Sequence, residues 1–254
     1  MAAVPCRLLR VWAVLALSAA CASTPTPGAQ ERGEYALTED VSLRRVAPGV
    51  WVHTTMGSGP YANIPANGLL VEDGDGSILV DTGWDARQAE SLLTWAQDVL
   101  HRPVKAAVVT HSHEDRTGGI SALLARGLPV YGQEETARIA AASKEPVPSL
   151  TFAETQALGP LELFFPGHGH APDNIVVWHP GGAVLFGGCF VKGGESKDLG
   201  NVGDADTAAW PASVDRTRER FPQARIVVPG HGAPGGPELL THTQALLRAS
   251  PTAR

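Results

Sequence analysis

Between Thr110 and Gly119 the chain reads THSHEDRTGG, which sets two imidazoles and a carboxylate at alternate positions: His111, His113 and Asp115. With nine histidines in 254 residues, chance yields this pattern in roughly one or two such chains in a hundred, so the spacing is informative. Alternate side chains of an extended segment point the same way, so the three groups converge. Imidazole nitrogen and carboxylate oxygen together suit a divalent ion of borderline hardness, zinc above all. Three further candidates follow, each closing an apolar run: His168 and His170 in FFPGHGHAPDN, Cys189 in VLFGGCFVK, and His231 in IVVPGHGAPGG. Glycines beside each let the backbone turn sharply. One histidine at a strand end is ordinary; four such sites point to a metal centre.

The elements that must carry these groups read as apolar runs. VKAAVVT (104–110) leads into the first histidine and suits a strand buried on both faces. GVWVHTT, NGLLVED, SILVDTG, LPVYG and RIVVPG read as strands, with others near 161–165, 174–179 and 183–188. Over 85–100, Ala89, Leu92, Leu93, Ala96 and Leu100 fall at helical spacing behind Asp85 as N-cap. Further helices are expected over 118–126, 134–143, 205–221 and 237–249. Two β-rich halves, each carrying helices, predict an α/β (α+β) fold, a four-layer αββα sandwich. The Gly- and Pro-rich segment 56–66 reads as a mobile hairpin loop.

Composition is globular, 43% hydrophobic and 18% charged, which suffices for a sizeable core at this length. The formal charge is -6 and no Lys/Arg cluster occurs, which argues against a nucleic-acid partner. Arg7 and Arg10 precede the apolar stretch VWAVLALSAA (11–20), too short to span a bilayer, so residues 1–22 read as an export signal and the periplasm as the destination. Two processing sites compete. Ala20-Cys21-Ala22 gives a soluble product, whereas LSAAC makes Cys21 a lipidated first residue and the only route to a membrane. Residues 23–40 are expected to form a tether and 41–250 a single domain, with a monomer as the default state. Losing the signal leaves 18 basic against 26 acidic residues, a charge of -8, and Cys189 as the remaining free thiol. A lone thiol in an oxidising compartment needs burial or a bound partner, which makes Cys189 a candidate ligand.

The ordered set HxHxD, GHxxDN, GGC and PGHG resembles the signature of the metallo-β-lactamase superfamily over about residues 45–240. Cys189, Lys192 three positions on, and DLGNVGDADTAAWP (198–211) are similar to subclass B1. The resemblance implies the αββα fold and hydrolysis of a small-molecule β-lactam with two zinc ions. One would be held by His111, His113 and His170, the other by Asp115, Cys189 and His231. His170 rather than His168 is the implied ligand, because it stands directly before APDN. Asp81, Asp173 and Asn174 would support the ligands from behind, and Arg116 would offset the charges of Asp115 and Cys189. Three neutral imidazoles leave the first zinc a strong Lewis acid, so a hydroxide generated there opens the ring without a covalent intermediate. Lys192 would meet the substrate carboxylate, and Asn201 would share stabilisation of the oxyanion with the first zinc. Asp115 would hold the water that protonates the leaving nitrogen. Met56, Tyr61 and Ile64 would give the 56–65 loop apolar contact with substrate, and Glu114 would point away. The nearest competing expectation is a glyoxalase-type thioesterase of the same superfamily, which would place histidine where Arg116 stands and a bridging aspartate where Cys189 stands. A zinc-binding module without catalysis would account for the ligands but not for Lys192 and Asn201.

Overall fold

The apolar runs become strands of two sheets in the computed structural model, which describes, apart from Met1, residues 33–250. The export signal, both processing sites and residues 23–32 of the expected tether lie outside the described residues. β1 (Glu34–Thr38), β2 (Val41–Ala47), β3 (Val50–Met56), β4 (Pro65–Asp73), β5 (Gly76–Val80), β6 (Val104–Val108), β7 (Val130–Gln133) and β8 (Leu150–Phe152) form an eight-stranded sheet in chain order. Its first five strands are an antiparallel meander, and β5 to β8 run parallel. β9 (Thr155–Leu158), β10 (Leu161–Phe164), β11 (Val176–His179), β12 (Val184–Gly188) and β13 (Ile226–Pro229) form the second sheet, in the order 13-12-11-10-9.

Three apolar layers hold four structural layers together. Ile78 and Val80 of β5 face the second sheet, where they meet the cluster of Leu163, Val177, Phe186 and Val228. Leu79, between them, faces the other way, into the cluster of Leu92, Leu93, Ile120 and Leu123. This two-residue alternation with both faces covered is why the central strands read as unbroken apolar runs. The outer cluster lies under α1 (Ala86–Asp98) and α3 (Ile120–Ala125). On the far side, Val176, Leu185 and Val227 pack against Trp210 and Val214 of α5 (Trp210–Arg220) and Leu239 and Leu240 of α6 (Glu238–Ala249). Each such side chain contributes about 1.5–3 kcal/mol on burial. The result is the expected αββα sandwich.

Several boundaries differ from the sequence reading. The expected tether is already a strand at Glu34–Thr38, paired with β2, where Tyr35 packs edge-on against Trp51 and Trp95. The ordered domain therefore begins before Val41. The helix expected over 118–126 is α3, and a separate turn of helix, α2 (Glu114–Thr117), precedes it. The Gly118–Gly119 pair at the break approaches other backbone and side chains so closely that a Cβ would lie 2.1 Å from the Trp84 carbonyl oxygen at 118 and 2.5 Å from Ala89 Cβ at 119. The helix expected from 205 starts at Trp210, because the Asp206 carboxylate caps the turn by accepting from the Ala208 and Ala209 N–H groups. The helix over Glu134–Ser143 (α4) matches its expectation.

Candidate active site

The two donor groups stand at one end of the sandwich because their residues follow or precede strands that terminate there. His111 and His113 follow β6, His170 precedes β11, Cys189 follows β12, and His231 follows β13. The crossing of the last two loops requires glycine. Gly230 donates to the Gly188 carbonyl at 2.6 Å, and a Cβ there would fall 2.5 Å from the Cys189 nitrogen.

Two donor groups result. His113 Nδ1 lies 3.1 Å from His111 Nε2 and 3.2 Å from His170 Nε2. The other nitrogen of His113, Nε2, faces the Asp204 carboxylate, an acceptor, at 3.0 Å, which turns Nδ1 toward the other two rings. Nitrogens converging in this way suit a cation between them. The separations approach the roughly 3.3 Å edge of a tetrahedron with metal–nitrogen bonds of about 2.0 Å. Beside them, Cys189 Sγ lies 3.2 Å from His231 Nε2 and 3.6 Å from Asp115 Oδ2, with His231 Nε2 3.4 Å from the same oxygen. The two groups adjoin: His111, His170 and Cys189 also bring donor atoms within 4.8 Å of one another, as do His111, His113 and Asp115. His168 is exposed on the other side of its loop, 3.9 Å from Asp206, and joins neither group.

Buried supports set these positions. Asp81 adopts a left-handed backbone (φ 60°), and its carboxylate accepts from the Thr110 N–H at 2.7 Å and hydroxyl at 2.9 Å. Arg116 is fully buried. Its Nη1 donates to Asp81 and to the Asn67 carbonyl, and its Nη2 donates to Asp115 and Cys189. Asp173 accepts from Thr136 Oγ1, and Asn174 Oδ1 from the Ala171 N–H. Burial, aided by the neighbouring cationic groups, holds His111 and His170 well below the ordinary histidine range, so both are neutral and ready to donate lone pairs. Burial pushes the Cys189 thiol up to about 12, against the pull of Arg116. A metal entering there must displace its proton.

Both groups open into a cavity of about 580 Å³ lined also by Tyr61, Ile64, Trp84, Lys192, Leu199 and Asn201. Two other grooves, of about 500 and 750 Å³, contain no such donor cluster. Lys192 is buried among described residues, with its ammonium over the Trp210 ring. The Asn201 side-chain oxygen closes a turn by accepting from the Gly203 N–H at 3.0 Å, which leaves its amide N–H groups free. Tyr61 and Ile64 reach the cavity and Tyr61 stacks on Trp84, whereas Met56 ends β3 away from it. Glu114 does not point away as expected; exposed at the start of α2, it lines the rim.

Residues 63–231 match the family model described as the metallo-beta-lactamase superfamily. The chain belongs to that superfamily. Among its metallo-β-lactamase relatives, a type 2 enzyme from Bacillus sp. (strain 170) is 39% identical over 219 residues, covering 83% of this chain and 84% of the relative. A type 2 enzyme from Bacteroides fragilis is 35% identical over 216 residues, covering 83% and 87%. The solved structure of a metallo-β-lactamase from Pontibacter korlensis is 42% identical, with a TM-score of 0.78 over 83% of this chain and 100% of that one. The structure of FIM-1 from Pseudomonas aeruginosa in its mono-zinc form is 37% identical, with a TM-score of 0.80 over 84% and 98%.

Sequence reasoning missed Asp204, which touches a candidate ligand, and Trp84, whose ring floors the loop. Asp204 lies three positions after Asn201, inside the segment read only as facing substrate. His53 was also missed: its buried Nε2 donates to the Val80 and Asp81 carbonyls at 3.1 and 3.2 Å, beneath the strained turn.

Proposed function

We propose that this protein is an exported two-zinc hydrolase of the β-lactam amide bond, of the subclass B1 type. One observation carries the reading. Two adjoining donor groups, one of three imidazoles and one containing a thiol and a carboxylate, open into a single cavity whose wall holds an ammonium, Lys192, and a free amide, Asn201. The names of the relatives support the substrate class, and the zinc in FIM-1 supports the metal. Arg7, Arg10 and the apolar stretch after them support export to the periplasm.

His111, His113 and His170 would hold the first ion without cancelling its charge, and Asp115, Cys189 and His231 the second. Zinc, when bound, supplies Lewis acidity, which polarises a carbonyl and makes water nucleophilic near neutral pH. Lys192 attracts the carboxylate that β-lactams carry beside the ring, which fixes the amide against the ligands. Asn201 directs its N–H toward the carbonyl oxygen as negative charge develops there. The carboxylate of Asp115, kept ionised by Arg116, orients the water that returns a proton to the departing nitrogen. Tyr61 and Ile64 cover the apolar part of the substrate and exclude bulk water.

A substrate panel tests the reading. Mature protein reloaded with zinc should hydrolyse penicillins or cephalosporins, lose that activity in EDTA and regain it with zinc. Turnover of a glutathione thioester without β-lactam turnover would replace this reading with the thioesterase one.

A further inference from the structure

Lys192 occupies a position that a cation does not take without support. It is buried, its backbone N–H is tied to Thr243 Oγ1 at 2.9 Å, and its side chain lines the cavity. Among the described residues, Lys105 pairs with Asp73 at 2.7 Å. The Lys192 ammonium instead lies 5.4 Å from the centroid of the Trp210 ring. An ammonium within about 6 Å of an indole face is attracted by the ring's quadrupole, more strongly where water is excluded. Burial draws the Lys192 pKa down, with Cys189 and Asp198 opposing.

Trp210 is itself fixed on every side. It is fully buried at the start of α5, its Nε1 donates to the Phe190 carbonyl at 3.1 Å, and its ring stacks on Phe190 with centroids 6.0 Å apart. The same ring backs the His170 imidazole, centroids 5.8 Å apart. One rigid indole thus touches a candidate metal ligand and the cavity's buried cation.

We propose that Trp210 is a positioning residue for substrate anions: its indole face holds the Lys192 ammonium at the cavity wall, aimed at the substrate carboxylate. This rests on the β-lactamase reading for the identity of the substrate, but not for the Trp210–Lys192 contact. The contact makes the cation available without a protein carboxylate that substrate would have to displace. The geometry explains why α5 begins on a tryptophan and why the Lys192 stem runs inward.

Fluorinated tryptophans placed at position 210 alone test the proposal, because they drain the ring's negative face while keeping its shape and its Nε1 donor. Two readouts are needed on the zinc-loaded, full-length mature protein. The first is KM and kcat for a carboxylate-bearing cephalosporin and for the same compound with that carboxylate esterified. The second is the titration of the Lys192 ε-carbon by NMR, resolved among only four lysines. The expected result is a KM that rises stepwise with fluorine count, by about fivefold at tetrafluoro-tryptophan. kcat, zinc content and the ester's KM should hold, and the Lys192 pKa should fall in the same steps. Flat KM and flat pKa across the series would overturn the proposal. Loss of zinc in parallel with kcat would also overturn it, assigning Trp210 to His170 instead. If wild type turns over no β-lactam, the functional reading fails, and the NMR series still decides whether Trp210 supports the cation.

Discussion

Arg116 Nη2 lies 3.0 Å from Cys189 Sγ and 2.5 Å from Asp115 Oδ2, and its side chain is wholly buried. One guanidinium nitrogen therefore serves both acidic members of the second donor group, while its twin reaches Asp81 beneath the His111 loop. This relationship couples the two halves of the site. The residue that holds the thiol and carboxylate together also braces the turn that presents the imidazoles.

Removing that cation should be severe. Arg116→Met leaves Asp81 and Asp115 buried without their partner, a change that costs about 3–5 kcal/mol in comparable sites. Urea unfolding of the zinc-free protein measures it. A loss under about 1 kcal/mol would mean that the cluster relaxes to admit water and that Arg116 is not its brace.

Asp204 gives a gentler case. Its carboxylate orients the His113 ring at 3.0 Å but is largely exposed. Asp204→Ala should weaken zinc binding toward the small end of the 10–100-fold range of such supports, about tenfold, with circular dichroism unchanged. Competition against a chromophoric chelator reads the affinity; an unchanged value would assign Asp204 to the loop alone.

Much of this site was legible before the fold. HxHxD and the strand-end positions of His170, Cys189 and His231 marked the ligands in advance, because apolar runs fix depth, but Asp115 reaches the cluster from the first turn of α2 rather than by alternation. Arg116 was legible through its neighbours in sequence. Asp204 and Trp210 were not, because their contacts join segments about 90 and 20 residues apart, to His113 and Lys192 respectively, and no local periodicity encodes them. β1 was missed because its pattern of partly buried residues gives a weak strand signal until Trp51 and Trp95 are placed against Tyr35. Glu114 was misplaced because alternation was extended past His113, where the chain turns into α2.

Stability should fall with acid through His53. Its folded pKa is lowered to about 4 by burial, opposed by its bonds to Val80 and Asp81, against an unfolded value near 6.5. The unfolded chain thus takes up the proton first. The stabilisation is complete above about pH 6.5 and is lost as pH falls toward 4. Between about pH 7 and 4.5 the group should account for about 2–3 kcal/mol of lost stability. Zinc-free wild type and His53→Leu, unfolded in urea at both pH values, should differ by that amount in their pH sensitivity. Equal sensitivity would mean that His53 stays neutral for another reason or ionises in place.

Lys192→Met should raise KM for anionic β-lactams about tenfold and leave zinc content intact, as expected for loss of a charge-assisted contact of about 1.4 kcal/mol. Steady-state kinetics with metal analysis separates this from damage to the Cys189 loop, which would lower zinc content as well.

The most direct measurement is nitrocefin turnover by the zinc-reloaded mature protein beside His113→Ala, with bound zinc counted in both. His113 Nδ1 is the atom that faces both His111 and His170, so removing it should cost the variant zinc and reduce turnover to the level of chelated wild type. A His113→Ala protein that keeps full nitrocefin turnover would contradict the assignment of this cluster as the hydrolytic metal centre.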